Sequence, residues 1–459
     1  MASRNYQMDM CRGPLGGEIF TYSLPHILML ILQLSFHTVD MIVIGQYAPH
    51  ESLAAVGISG NIIGLVLSLF YGLSAGTNVV VAREFGAKNM HRVRQAVHCA
   101  MALAMAGGVL LMIVGELIAR PMLVLTGTPD NVLGEAHTYL WINFLAIPFI
   151  LTYHFGCSIL RAVGDTRRPL YFLIIAGIVH VGLNLFFVIV CGWRVAGVAA
   201  GTSISHALSA YLIVRALVNN RNACRLFLNR LRLEYHTCME ILRIGVPAGL
   251  SSSAFAVSNV TIQSAINSFG SLAMAGSTAT LSLESLVYMG SGAYHQVALT
   301  FVAQNYGGKQ YDRIKRSLFI CALYAVGSTI FFGWGFFLLG EPLLKLFTHD
   351  PEVVKWGLER MGIVFTTYAV CGVMDVATGG LRGLGWSMTA TAASLTGACF
   401  FRIVWVLWIL PWHRTFTMLL LSYPISWLLV AVFALGLLRW VWRHRIEPER
   451  RRAAAAARR

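Results

Sequence analysis

The motif Ala82-Arg-Glu-Phe-Gly-Ala-Lys-Asn89 is repeated 221 residues later as Ala303-Gln-Asn-Tyr-Gly-Gly-Lys-Gln310. A second motif, Leu160-Arg-Ala-Val-Gly164, is repeated at the same offset as Leu381-Arg-Gly-Leu-Gly385. Two matched segments at one offset indicate an internal duplication, and we predict that the chain consists of two related halves.

The composition of the 459-residue chain excludes a soluble protein. Hydrophobic residues make up 57% of the sequence, charged residues make up only 12%, and the mean hydropathy is +0.66. So few charges cannot cover the surface of a soluble protein, and lipid must therefore be the main solvent. The same figures exclude a disordered chain and a coiled coil. A disulfide scaffold is excluded because the nine cysteines are scattered, mostly in apolar runs.

Twelve apolar stretches are long enough to cross the roughly 30 Å hydrocarbon core of a bilayer as helices. They lie near 20–44, 53–81, 96–118, 133–158, 170–190, 197–217, 244–267, 271–302, 317–339, 352–381, 386–410 and 415–438. Helices are expected because only helices and closed barrels satisfy the backbone in lipid, and these runs lack the alternation of barrel strands. Six spans fall in each half, and an even number gives both halves the same orientation.

The predicted fold is therefore an all-α integral membrane protein in which two parallel six-helix repeats form an N-lobe and a C-lobe. The predicted segments are a cytoplasmic N-terminal segment 1–17, the N-lobe 18–217, a cytoplasmic linker 218–243, the C-lobe 244–440 and a basic cytoplasmic tail 441–459. Two bundles of like orientation suit a transporter that opens alternately to the two sides of the membrane.

The distribution of lysine and arginine predicts the orientation of the chain. Of 35 such residues, 28 lie in the two tails and in the even-numbered loops. The positive-inside rule then places both termini and every even-numbered loop in the cytoplasm. We therefore attribute the net charge of +15 to the basic residues that orient the chain in the membrane. We do not expect the protein to bind nucleic acid.

Sequence motifs for nucleotide or metal chemistry are absent. A P-loop would need a glycine where Ala303 stands and Ser or Thr where Gln310 stands, and no H-E-x-x-H or Cys/His metal spacing occurs. Since the sequence carries no ATPase signature, the simplest energy source is an ion gradient. We therefore expect a transporter and not an enzyme, with no cofactor.

Ionisable residues deep inside a predicted span are rare and indicate function. Asp40 lies roughly 10 Å below the outer end of the first span, His180 and Asn184 share one face of the fifth, and Thr202 lies roughly 8 Å inside the sixth. We predict that these four side chains reach one level of the N-terminal half and hold Na⁺, with Asp40, Asn184 and Thr202 as ligands, or carry a proton. In the alternative interpretation Asn184 and Thr202 only bridge helices. His37, one turn before Asp40, is a further candidate for lining the substrate cavity.

The polar residues of the C-terminal half differ, because the repeat offset places no acid opposite Asp40. Glu284 lies near the middle of the eighth span and Arg402 in the outer part of the eleventh, so they either pair or line a wet cavity. Asp375 lies seven residues before Arg382, near the cytoplasmic end of the tenth span, where a helix-end role or pairing with a cytoplasmic arginine is the alternative to a functional role. The remaining candidates for cavity lining are Asn259, Gln263 and Gln296.

Residues 16–440 resemble the multidrug and toxic compound extrusion (MATE) family. The resemblance is carried by Thr38-Val-Asp-Met-Ile-Val-Ile-Gly45, Ala82–Lys88, Leu160–Arg167, the stretch from Asn184 to Thr202 with Val195-Ala-Gly-Val-Ala199, and Leu381–Gly385. Together with the twelve spans and the duplication, these segments form a specific pattern. The resemblance implies export of cationic, amphipathic compounds in exchange for Na⁺ or H⁺.

The resemblance also implies that Asp40 is a coupling residue. Many members carry an Asn and an Asp four residues apart in the fifth span, where this chain has His180 and Asn184. Asp40 is then the only acid of the predicted cluster, which favours H⁺ over Na⁺ because hard cations gain affinity from carboxylate ligands. Some members carry a Glu early in the seventh span, but 245–255 has none. Asp375 falls where members often have an acid.

We therefore predict a secondary antiporter that exports amphipathic drugs or metabolites, expected to be cationic, in exchange for H⁺ or Na⁺ by alternating access. The alternative is an exporter or flippase of a lipid-linked or polar cell-envelope precursor. Such a flippase needs a strongly cationic cavity, whereas Arg402 is the one deep basic residue and Arg360 lies nearer a span end. We expect a monomer in the bacterial inner membrane, in contact with lipids.

Overall fold

A computed structural model of the protein describes residues 7–220 and 222–456, and all regular secondary structure in these residues is helical. The absence of strands from the described residues agrees with the all-α fold expected from the long apolar runs. The topology prediction also uses Arg4, Arg221, Arg458 and Arg459, which lie outside the described residues.

The described residues of the first half form six α-helices, one for each predicted span. They are α1 (Leu15–Tyr47), α2 (His50–Gly86), α3 (Met90–Leu125), α4 (Asp130–Ala162), α5 (Arg167–Leu185) and α6 (Arg194–Val218). Helix α5 continues as a short π-helix over Phe186–Val190. Even this shortest span, 24 residues in all, reaches about 36 Å at the helical rise per residue.

The second half is more interrupted. Its helices are α7 (Tyr235–Asn267), α8 (Ser271–Gly307), α9 (Tyr311–Leu338), α10 (Gly340–Lys345), α11 (Pro351–Val364), α12 (Tyr368–Gly383), α13 (Ser387–Ser394), α14 (Phe401–Val404), α15 (Phe416–Leu420), α16 (Ser422–Val441) and α17 (Glu447–Ala456). Short π-helices join several of them, over Leu395–Phe400, Trp405–Ile409 and Trp442–Ile446, and short 3₁₀ turns lie at Leu228–Arg230 and Leu410–Trp412.

Ten helical segments of the described chain are long and apolar enough to cross a membrane, and an eleventh is obtained when α11 and α12 count as one span bent by 47°. The remaining predicted span, 271–302, coincides with α8, a helix of 37 residues. Ser, Thr and Gly are frequent in α8, and many of its residues are buried within the protein, which accounts for its weaker apolar character.

The chain divides into two compact units, each with its own core. Unit 1 is Leu24–Val246 together with the segment that ends at Asp9, and unit 2 is Met10–Ser23 together with the chain from Pro247 onward. In unit 1, buried Ile44 packs in an apolar core between helices. In unit 2, the corresponding core includes the buried Phe365.

The two units are divided at Leu24 and at Pro247. The start of α1, within 10–23, belongs to unit 2, and the linker 218–243 belongs to unit 1. Both divisions fall beside a proline inside a helix, Pro25 in α1 and Pro247 in α7. A proline inside a helix removes a backbone hydrogen bond and favours a bend. One part of each of these two helices can therefore belong to one unit and the other part to the other unit.

The duplicated motifs fold into the same turns in both halves. Lys88 and Lys309 have φ values of 58° and 55°, in the left-handed region that residues with a side chain rarely adopt, and each lies two residues after the end of a long helix. Gly164 and Gly385 have φ values of 89° and 86°, where glycine is favoured because it has no Cβ. The structural correspondence supports the duplication that the motifs predict.

Candidate functional site

Four buried side chains from α1, α5 and α6 of unit 1 contact one another. The amide nitrogen of Asn184 donates to Oδ1 of Asp40 at 2.7 Å, and the hydroxyl of Thr202 donates to Oδ2 of Asp40 at 3.2 Å. His180 Nε2 lies 2.9 Å from Asp40 Oδ1 and 3.1 Å from the Thr202 hydroxyl. We call these four residues the Asp40 cluster.

The helix geometry explains why these residues meet. His180 and Asn184 are four residues apart on α5 and therefore share one face, with His180 Nε2 3.2 Å from the Asn184 amide nitrogen. Gly201 lets α6 approach this face, because a Cβ at that position would lie 2.2 Å from Asn184 Oδ1. A π-helix begins at Phe186, directly after this pair, and such irregularities are frequent at functional sites.

Aromatic residues that the sequence interpretation missed surround the cluster. The ring of Phe36 stacks on His180 with a centroid distance of 4.7 Å and an interplanar angle of 11°. Tyr139 of α4 is buried and lies beside Asp40. Phe36 lies one turn from Asp40 on α1, so helical spacing could have predicted that it is close to the cluster. No sequence pattern predicts that Tyr139 of α4 lies beside Asp40.

Two polar atoms of the cluster remain available for a further partner. Nδ1 of His180 and Oδ1 of Asn184 are buried and have no hydrogen-bond partner among the described residues. Leaving buried polar atoms unpaired is unfavourable, so the arrangement suits the binding of a proton, a cation or water. No group of three or more His, Cys, Asp or Glu side chains in the described chain could hold a metal ion.

The structure does not bring His37 into the cluster. His37 is exposed, and its ring packs against Gly60 of α2, where a Cβ would lie 3.1 Å from the imidazole. Three positions correspond to a rotation of about 60° around the helix axis, and in this structure the His37 ring meets α2.

Unit 2 contains a second buried polar cluster, in which Glu284 pairs with Arg360 and not with Arg402. Arg360 Nη2 lies 2.8 Å from Glu284 Oε2. Arg402 instead donates to Ser426 Oγ at 2.9 Å and to Asn259 Oδ1 at 3.1 Å. The sequence placed Arg360 near a span end, but this side chain is fully buried, because α11 packs against α8.

A cavity of about 240 Å³ adjoins this second cluster. Three of the predicted cavity residues, Asn259, Gln263 and Glu284, line the cavity together with Tyr423. The guanidinium groups of Arg360 and Arg402 both lie over the Tyr423 ring, at 5.4 Å and 4.6 Å from its centroid.

Asp375 belongs to a third group of polar residues. Its Oδ2 accepts a hydrogen bond of 2.7 Å from Ser291, and its backbone carbonyl lies 2.8 Å from Nδ1 of His295. Arg382 Nη1 lies 3.1 Å from Nε2 of His295, so the arginine reaches this group through the imidazole. The last candidate, Gln296, is half-buried on α8.

A family model described as MatE matches residues 25–186 and again residues 247–408. The two matches together cover more than half of the chain. The chain belongs to the MATE family. The double match also confirms the duplication, with one repeat in each half.

Curated relatives extend over most of this MATE protein. The Probable multidrug resistance protein YoeA of Bacillus subtilis is 24% identical over 383 residues, which is 82% of each chain. The FAD transporter of Shewanella oneidensis is 24% identical over 83% of this chain and 85% of its own. The Multidrug export protein MepA of Staphylococcus aureus MSSA476 is 23% identical over 86% of this chain and 88% of its own.

Solved structures share the fold of this MATE protein. A MATE structure in the bent conformation has a TM-score of 0.88 at 19% identity and covers 97% of this chain and 98% of its own. The VcmN transporter of Vibrio cholerae has a TM-score of 0.86 at 20% identity, with 94% and 97% covered. A MOP superfamily transporter of Pyrococcus furiosus, described as having a binding pocket of reverse polarity, has a TM-score of 0.87 at 18% identity, with 95% and 98% covered.

These similarities confirm three predictions: the family, the all-α fold of two six-helix repeats, and a transporter in place of an enzyme. The protein is a multi-pass membrane transporter of a family that extrudes compounds.

Proposed function

We propose that this MATE protein is an antiporter that exports amphipathic compounds by alternating access, with the Asp40 cluster as its coupling site. The observation that carries the proposal is the buried carboxylate of Asp40, which is bonded to an amide and a hydroxyl and lies 2.9 Å from an imidazole nitrogen. An intramembrane acid held by neutral and titratable groups, and not by arginine, can gain and lose a cation during the cycle.

The proposed coupling ion is H⁺ in preference to Na⁺. Asp40 is the one carboxylate of the cluster among the described residues, and its closest titratable neighbour is the imidazole of His180. Sodium favours sites with several oxygen ligands and more negative charge, whereas a carboxylate and an imidazole together can share a proton. A proton taken up from outside would bind this pair and leave when the site faces the cytoplasm.

The proposed substrates are drugs or metabolites of amphipathic character, expected to be cationic. Support comes from relatives named as multidrug resistance or multidrug export proteins. The Shewanella oneidensis relative, which is also 24% identical to this chain, is named as an FAD transporter. The named substrates therefore vary among relatives of similar identity. We further propose a monomer in the bacterial inner membrane. The location of 28 of the 35 basic residues supports the placement of both termini in the cytoplasm.

Transport in proteoliposomes tests the coupling site. We expect a pH gradient to drive export of a cationic dye by the wild type, and Asp40→Asn to abolish this export, because the amide cannot bind a proton. Glu341→Gln is the matched control, since Glu341 is an exposed acid that pairs with Lys345. Undiminished gradient-driven export by Asp40→Asn, at equal protein incorporation, would refute the proposed site.

A further inference from the structure

One face of α16 is exposed and apolar, and it ends in two arginines. Leu428, Val432 and Leu435 are 53%, 60% and 48% exposed, and in a membrane protein such side chains contact the lipid chains. Arg439 and Arg443 follow on the same face, because they lie eleven and fifteen positions after Leu428, which is roughly three and four helical turns. Both arginines are exposed. The face that contacts lipid therefore continues into two positive charges.

The height of these arginines along the helix corresponds to the headgroup layer of the bilayer. The last predicted span, 415–438, ends one residue before Arg439. At the rise of an α-helix, Arg443 lies about 6 Å further along. The headgroup layer adds about 5–8 Å on each side of the hydrocarbon core, so both side chains can reach lipid phosphates.

Basic and aromatic side chains from two other span ends lie at the same level. Lys315, two residues before the ninth predicted span, has its Nζ 4.2 Å from the centroid of the Trp442 ring. Trp386, the first residue of the eleventh predicted span, contacts Trp440 with a centroid distance of 5.9 Å and an interplanar angle of 82°. Since tryptophan is enriched at the membrane–water interface, these contacts support the assignment of this level to the headgroups.

We call Lys315, Arg439 and Arg443 the interfacial patch. The acids nearby in sequence have other partners: Asp312 pairs with Arg450 at 3.2 Å, Glu447 pairs with Arg451 at 3.2 Å, and Glu449 accepts hydrogen bonds from Tyr306 and Tyr311. None of the described acids forms an ion pair with a member of the patch. The three exposed positive charges are therefore available to a negatively charged partner.

We propose that the interfacial patch binds an anionic phospholipid, with the guanidinium groups of Arg439 and Arg443 on its phosphate. Arginine suits phosphate because its planar group offers several donors in a fixed geometry, and basic residues directly beside a span attract anionic lipids. The exposed apolar face of Leu428, Val432 and Leu435 would contact the acyl chains. The inference concerns a lipid partner and does not depend on the proposed export function.

Thermal unfolding of the purified full chain in detergent tests the class of partner. We expect dioctanoyl phosphatidylglycerol to raise the unfolding midpoint more than dioctanoyl phosphatidylcholine, which has the same chains but no net charge, because a ligand that binds only the folded state stabilises it. The difference should shrink with added salt, since the charges are exposed. Equal shifts with both lipids would overturn the proposal. So would an equal shift with glycerol phosphate or a larger one with an RNA oligonucleotide, because either result would assign the patch to a soluble anion.

Variants locate the lipid. Arg439→Gln/Arg443→Gln should weaken phosphatidylglycerol binding by about tenfold or more, as expected for the loss of hydrogen bonds to a charged group. The matched control is Arg451→Gln/Arg452→Gln, which removes the same charge from exposed positions at least eight residues further along the tail and should change the affinity little. Unchanged binding by the first variant, or an equal loss in the control, would overturn the assignment.

A substitution on a second helix gives an independent measurement. Lys315→Gln should also weaken phosphatidylglycerol binding, because Lys315 contributes to the patch from α9. This variant still decides if the double arginine variant does not fold, which its unfolding midpoint without lipid would reveal. Full affinity in Lys315→Gln together with full affinity in Arg439→Lys/Arg443→Gln would contradict a lipid site at this level.

Discussion

At the scale of single residues, the two buried carboxylates Glu284 and Asp40 have different hydrogen-bond partners, and these partners suggest different roles. Glu284 forms an ion pair with Arg360, whose guanidinium nitrogen lies 2.8 Å from its carboxylate. Asp40 is bonded to Asn184 and Thr202 and faces the imidazole of His180. The first carboxylate therefore has a permanently charged partner, whereas the second has two neutral hydrogen-bond donors and an imidazole.

His180→Asn tests the role of the imidazole. We expect export driven by a pH gradient to fall by about tenfold or more, because the substitution removes the imidazole nitrogen that lies 2.9 Å from the Asp40 carboxylate. The initial rate of dye export from proteoliposomes measures the effect, with His50→Asn at an exposed position as the matched control. A normal response to the pH gradient in His180→Asn, or export driven by Na⁺ alone, would show that His180 only bridges helices.

Glu284→Gln tests the energetics of the second cluster. The substitution leaves two buried guanidinium groups without a carboxylate, and we expect the free energy of unfolding to fall by about 3–5 kcal/mol. Glu341→Gln breaks an exposed ion pair with Lys345 and should change stability little, because water solvates both charges. Unfolding by denaturing detergent measures both variants, and similar losses would contradict this account of Glu284.

At the scale of helices, glycines decide which elements can cross closely. Gly76 of α2 lies against the backbone of α7, since a Cβ there would be 2.4 Å from the carbonyl oxygen of Ile241 and 2.8 Å from the nitrogen of Gly245. Gly64 of the same helix has no atom within 4 Å of the equivalent point. Substitutions at Gly64 and Gly76 can therefore distinguish the effect of helix propensity on stability from the effect of helix packing.

Alanine at these two positions should have opposite effects. Gly64→Ala should stabilise the protein by about 0.5–1 kcal/mol, because alanine favours the helix more than glycine does. Gly76→Ala should destabilise it by about 1–3 kcal/mol, because backbone atoms of α7 must move. Thermal unfolding in detergent measures the difference, and effects of the same sign would mean that α2 and α7 do not approach this closely.

At the scale of the whole molecule, the orientation in the membrane remains a prediction from charge. Arg225 and Arg194 are both exposed and lie on opposite predicted sides. With Cys11, Cys191 and Cys238 replaced by serine, Arg225→Cys should react with an impermeant thiol reagent only from the cytoplasm, and Arg194→Cys only from outside. Labelling of both positions from one side would reject the topology.

Much of the site could be anticipated because helices have a regular period. The spacing of His180 and Asn184 places both on one face of α5, and depth along the helix places Asp40 and Thr202 at the same level. The partner of Glu284 could not be anticipated. Span depth placed Arg360 near a helix end, and only the packing of α11 on α8 buries it beside the acid.

Properties that are set by short segments of sequence could be predicted from the residues alone. Bilayer thickness sets the length of an apolar run, charge asymmetry predicts orientation, and the duplicated motifs reveal the two halves whether or not the fold is known. Tertiary structure alone decided which residues neutralise one another and which unit holds each end of a helix. Residues 10–23 belong to unit 2, and Arg360 reaches Glu284 across 76 positions of sequence, because long-range packing has no periodic signal in the chain.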